Sequence, residues 1–182
     1  MKTKVIAMTV AALVLSACSQ KQSGTAAPDV EESEPLRTPS VQQRAKLRAV
    51  EPCSLLDPGE TATFGEFEKG SEGVRSDGGR QCHWEGVRQS AQEADVPSIY
   101  VVIEDDSSIK ELGNVGDGAR SGVMEDSGRA VKETWNETGC VVGLAVGDSS
   151  RVDVIVADPD REQSCAMANE IAELVEPKLP MR

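Results

Sequence analysis

CVVGLAVGDSSRVDVIVA, residues 140–157, is the stretch that decides the fold. Two runs of β-branched and small apolar residues, Cys140 to Gly147 and Arg151 to Ala157, flank the turn residues Asp148, Ser149 and Ser150. Strand formers bounded by such a turn predict an antiparallel hairpin. Upstream, RQCHWEG (80–86) and SIYVVIE (98–104) are short, rich in strand formers and bounded by Gly, Asp and Pro, and 130–135 is a weaker strand. Downstream, Asp160 and Gln163 form a capping pair. Cys165, Ala168, Ile171, Ala172 and Val175 then recur at helical spacing until Pro177 stops the helix, with Cys165 on its core side. Asp57-Pro58-Gly59-Glu60 supplies an N-cap, a first-turn proline and a third-position acid, predicting a short helix from there to Phe64, ended by Gly65. The expected class is α+β, an antiparallel sheet with helices packed on it.

The other end of the chain has a different composition. Lys2 and Lys4 precede an apolar run from Val5 to Leu15, followed by Ser16, Ala17 and Cys18. The run is about half the roughly 20 residues a membrane-crossing helix needs, so the segment reads as a secretion signal, residues 1–17. Leu15-Ser16-Ala17-Cys18 resembles the bacterial lipobox, which implies cleavage before Cys18 and diacylglycerylation of its thiol. Two acyl chains anchor stably where one does not, at about 0.8 kcal/mol per buried methylene. Residues 18–50 then read as lipidated cysteine plus tether: Ser, Gln, Glu and Pro dominate, no aromatic occurs, and too little apolar surface is present to order the segment. Its last third, with Arg37, Arg44, Lys46 and Arg48, has the alternative of a nascent helix beside anionic headgroups. The globular domain is expected to span 51–182, lying on the extracytoplasmic face of the cell membrane.

Five cysteines less Cys18 leave Cys53, Cys82, Cys140 and Cys165, an even set that in an exported chain predicts disulfides. Zinc competes poorly, because no C-x-x-C pair exists and His83 is the sole histidine. Two cysteines near predicted helices and two in predicted strands favour Cys53 to Cys82 and Cys140 to Cys165, each tying a helix to the sheet, although three pairings are formally open.

The succession P-C-S-L-L-D-P (52–58), C-x-W (Cys82, Trp84), G-C-V-V (139–142) and C-A-x-A-x-x-I-A (165–172), closing in L-P, resembles an uncharacterised family of actinobacterial lipoproteins over residues 51–180. That family is similar to LpqN-type lipoproteins and to the extracellular sensor domain of PknH-type kinases. The resemblance implies a disulfide-stapled helix-and-sheet fold in which Cys53, Cys82, Cys140 and Cys165 are the paired cysteines, and it implies no particular chemistry.

Residues 51–182 hold 27 acidic against 12 basic residues, a net charge of −15, more negative than the −12 of the whole chain. Such a surface repels phosphate backbones and excludes direct nucleic-acid binding. With only four lysines in the domain, the charge has a further reading as adaptation to high salt.

No nucleophile elbow, H-E-x-x-H helix or phosphate-cradling loop occurs, and His83, between Cys82 and Trp84 in a predicted strand, reads as a sheet-face residue. No catalytic residue, cofactor or metal site is expected. The carboxylates Glu104, Asp105 and Asp106, with Asp158 and Asp160, read as a solvated face and do not follow calcium-loop spacing. Trp84 and Trp135 are first expected as core mass and second as pocket walls. The glycine-rich connector Glu104–Gly128, with a short helix near Ile109 to Leu112, is the candidate contact surface.

These features together predict a non-catalytic, membrane-anchored module whose partner is a small envelope molecule or another exported protein. The alternative is a carbohydrate-active enzyme working through two carboxylates. Intact-mass analysis of the mature protein is expected to show a chain beginning at a diacylglycerylated Cys18 with no alkylatable thiol. An unmodified N-terminus would refute the anchor.

Overall fold

The computed structural model describes residues 39–90 and 96–181. Cys18 and the stretch 18–38 of the expected tether lie outside them. Three α-helices and seven strands are seen: α1 (Pro39–Arg48), α2 (Pro58–Thr61), β1 (Ser71–Val74), β2 (Arg80–Glu85), β3 (Ser98–Glu104), β4 (Gly118–Val123), β5 (Ala130–Asn136), β6 (Gly139–Val146), β7 (Ser150–Ala157) and α3 (Arg161–Val175). The strands form one antiparallel sheet in the order β1-β2-β3-β7-β6-β5-β4. The predicted hairpin is β6–β7, paired from Gly139 opposite Ala157 to Val146 opposite Ser150 and turned by Gly147 at φ +70°.

Alternation along the strands sends one set of side chains to the core. Two rows across the sheet show how that set changes. One runs Trp84, Ile99, Val156, Cys140, Trp135, Gly118, and the next runs Cys82, Val101, Val154, Val142, Glu133, Arg120. Both are aliphatic at the centre of the sheet. There α3 lays Met167, Ala168, Ile171, Ala172 and Val175 on them. Each such large side chain taken from water contributes roughly 1.5–3 kcal/mol. Asp160 accepts from the Gln163 amide at 3.0 Å and caps α3 as expected.

Two disulfides fix helical segments against strands. Cys140 on β6 is bonded to Cys165 on α3, with Cα atoms 5.0 Å apart. Cys53 is bonded to Cys82 on β2, with Cα atoms 4.9 Å apart. Cys53 sits in a 3-10 turn, Pro52–Ser54, and not in a regular helix.

Several expectations need correction. The helix capped by Asp57 and Glu60 is a single turn ending at Thr61, well short of Phe64. Helix α1, which lies in the stretch expected to be tether, packs with the residues of the compact domain among the described residues. Leu47 is fully buried in the core, and Arg80 donates from Nη1 to the Val50 carbonyl (2.6 Å) and from Nη2 to the Leu47 carbonyl (3.0 Å) while pairing with Asp105. Two basic residues of this segment are committed to the domain, Arg44 and Arg48, both on Asp106, while Arg37 lies outside the described residues. The connector Glu104–Gly128 contains the expected short helical turn at Ile109–Glu111, and also β4, which was not anticipated. Edge strand β1 was likewise not anticipated.

Replacing Cys140 and Cys165 together by Ala is expected to cost about 3 to 4 kcal/mol of unfolding free energy, the value for a loop of this length. Urea denaturation under oxidising conditions measures it.

Candidate functional site

Row ends that α3 does not reach are covered differently on the two sides of the sheet. At the Trp84 end, the chain leaving α2 turns at Gly65 (φ +143°) and runs back along β2. Phe67 bridges to Gly86, the Glu68 amide donates to the Glu85 carbonyl at 2.8 Å, and the Val87 amide donates to the Glu66 carbonyl at 2.8 Å. Gly70 is what allows the close approach. A Cβ there would lie 2.6 Å from Trp84 Nε1 and 2.8 Å from Cys82 Sγ, so any side chain would push the segment off the indole and the disulfide.

Between this segment and α2 lies a cleft of about 810 Å³, walled by Pro58, Ala62, Phe67, Gly70, Trp84 and Val87. Its walls are largely apolar, while Glu66, Glu68 and Lys69 stand at its rim. The volume is within the range of small-molecule sites. Trp84 is both buried core and cleft wall, so the two roles weighed for it from the sequence coincide. The signal for the cleft was the spacing Gly65-x-Phe67-x-x-Gly70, whose glycines permit the turn and the contact.

A second hollow, of about 450 Å³, is charged. Arg48, Asp77, Arg80, Glu104, Asp105 and Asp106 line it. The acidic run therefore faces guanidinium groups: Asp105 holds Arg80 at 2.8 Å, and Asp106 holds Arg44 and Arg48 at 3.1 Å each. Deeper, on the sheet face away from α3, Arg151 lies 2.9 Å from Asp153 and 3.7 Å from Glu104. Burial pushes the Asp153 carboxyl up to about 6 against the opposing pull of Arg151. Asp153 does not line the hollow: Gly143 on the neighbouring strand leaves room for it beside Leu112 and Ile109, which pack over it.

The remaining candidates have structural partners. Asp158 accepts from the Asp160 amide at 2.7 Å, and Asp160 is spent on the α3 cap. His83 stacks on Tyr100 at 4.3 Å between ring centroids and 4° between planes, on the sheet face opposite α3. Glu133 lies near both sulfurs of Cys140 and Cys165, but those sulfurs are bonded to each other and have no thiolate to offer a metal.

A family model described as a protein of unknown function (DUF3558) matches residues 13–178. The chain belongs to that family. No curated protein and no solved structure matches it.

Because Asp153 is held above its unfolded value of 3.8, the folded state binds more protons than the unfolded one between about pH 4 and 6, and ionising Asp153 costs stability as pH rises through that window. Asp153→Asn lacks this cost. Its stability relative to wild type is expected to rise by about 3 kcal/mol from pH 4 to 6 and stay level above. Denaturant midpoints across that range test the slope, and parallel pH profiles would contradict it.

Proposed function

We propose that this DUF3558 member is a lipid-anchored, extracytoplasmic binding module that captures a small apolar envelope molecule without turning it over. The reading extends the lipoprotein resemblance: Cys18 carries the anchor, the chain up to α1 is the tether, and the stapled domain holds the ligand, in the manner of an LpqN-type lipoprotein or a PknH-type sensor domain. Two disulfides, one from a 3-10 turn to β2 and one from β6 to α3, support that likeness.

One observation carries the proposal, the apolar cleft against Trp84. A solvent-open hollow bounded by Phe67, Trp84 and Val87 keeps apolar surface in water that a ligand would cover. Its rigidity is built in, because the Trp84 wall is buried core and Gly70 lies close against the Cys82 sulfur of a disulfide, so little ordering cost falls on binding. Glu66 and Glu68 against the single Lys69 give its lining a net charge of −1, which favours a neutral or cationic headgroup over an anionic one. Among the described residues the carboxylates that line this cleft, Glu66 and Glu68, are on one segment and not across it from each other, and the carboxyl raised to about 6 belongs to Asp153, packed away on the other face.

The neutral fluorophore N-phenyl-1-naphthylamine serves as probe. Its emission is expected to rise on titration with the full chain, with energy transfer from tryptophan. Ala62→Phe, at an exposed position on the cleft wall, is expected to weaken the dye about tenfold without moving the unfolding midpoint, roughly 1.4 kcal/mol of binding. Equal binding by both proteins would refute the cleft as the site.

A further inference from the structure

At the opposite margin of the sheet, β4 is an edge strand, and we infer that it takes an extended basic segment of another protein as an eighth strand. The strand is six residues long, contains no proline or lysine, and is exposed from Ala119 to Val123, with Val123 65% exposed. Edges left so plain are pairing templates. The other edge is blunter: β1 has four residues.

The ladder tells which groups are free. The Met124 amide donates to the Arg129 carbonyl at 2.9 Å, in the same register as Gly122 opposite Val131 and Arg120 opposite Glu133. Antiparallel ladders alternate, so the even-numbered residues bond to β5, while Ala119, Ser121 and Val123 turn their N–H and C=O groups outward. Among the described residues nothing pairs with that outer edge.

Beside the edge runs a groove between β4–β5 and α3. One part, about 410 Å³, is lined by Arg120, Glu133, Trp135, Arg161 and Glu162. The next, about 720 Å³, shares Asn169 with it and carries Glu125, Asp126 and Glu173. Two of the three β4 residues facing this side are glycines. Gly118 is required because a Cβ would lie 2.3 Å from the Trp135 ring, and Gly122 leaves space over Val131. Side chains of an added strand would therefore meet Trp135 at one end, where Arg120 and Arg161 offset Glu133 and Glu162, and the carboxylates Glu125, Asp126 and Glu173 at the other.

Charge selects the occupant. A second copy of the chain fits badly: the symmetric register centred on Ser121 sets Asp117 against Glu125 of the second copy at both ends, and the register centred on Arg120 sets two guanidinium groups face to face. A lysine- or arginine-bearing strand instead finds Glu125, Asp126 and Glu173 at the acidic end of the groove, with Asp117 in the chain just before β4, while Arg120 and Arg161 leave the Trp135 end without net charge.

The probe is acetyl-Lys-Val-Lys-Val-Lys-Val-amide, with the Glu-for-Lys peptide as control. On the full chain, the Lys peptide is expected to slow hydrogen exchange at the Ala119, Ser121 and Val123 amides about tenfold at saturation and leave the Arg120 and Gly122 amides unchanged. Ser121→Pro removes an outward donor without touching the β5 ladder and is expected to lower affinity about tenfold. The exchange readout on unmodified protein stands whether or not that variant folds. Binding without protection at those three amides, equal binding of the Glu peptide, or no binding would overturn the inference. So would spontaneous Ser121→Cys homodimers, which would assign the edge to a second copy.

Discussion

One helix cannot roof seven strands, and the rest of this structure follows from that mismatch. Strands spaced at about 4.8 Å give the sheet a width of roughly 29 Å, whereas a helix covers a band about 10 Å across. The band covered by α3 is centred on β6 and β7, where the valines are. Trp84 and Trp135 occupy the same row at its two ends, four strand spacings or about 19 Å apart. Each marks where the cover by α3 gives out, and each is next to a disulfide. At the Trp84 margin the chain folds back and leaves a cleft, while at the Trp135 margin it leaves an uncovered edge.

Arginines secure the parts that apolar packing does not reach. Arg80 closes the end of α1, and Arg151 holds the buried carboxylates on the far face. Arg129, itself only 4% exposed, joins Glu176 to the Ala145 and Pro180 carbonyls and so pins the C-terminus. Residues 51–182, with a net charge of −15, thus turn three of their eight arginines, Arg80, Arg129 and Arg151, onto internal partners. What remains outside is strongly acidic, which sets the sign of any charged partner at either margin.

How much of this could be read from the residues depends on burial. The centre of the sheet was legible because β3, β6 and β7 are buried strands and carry the branched residues such strands need. Strands β1 and β4 (SEGV and GARSGV) are edges whose side chains meet water, so selection for an apolar alternation is absent and the glycines dominate the pattern. Helix α1 is polar along most of its length and is held by one leucine, by the Leu47 carbonyl and by polar side chains such as Arg44 and Arg48 on Asp106, none of which stands out in composition. The cysteine pairing was legible through the elements around it. The cleft left only the spacing of Gly65 and Gly70 as a signal, since it depends on the missing side chain of Gly70 and on a chain reversal that no hydrophobic periodicity announces.

The margin beside Trp84 is where we propose that function resides, and the direct test is a crystal structure of the protein isolated from the membranes of its own cells, never unfolded. The account predicts ligand density between Phe67, Trp84 and Val87, in contact with the indole and shielded from the acidic rim. A cleft closed by the chain's own side chains, with no space left against Trp84, would contradict it.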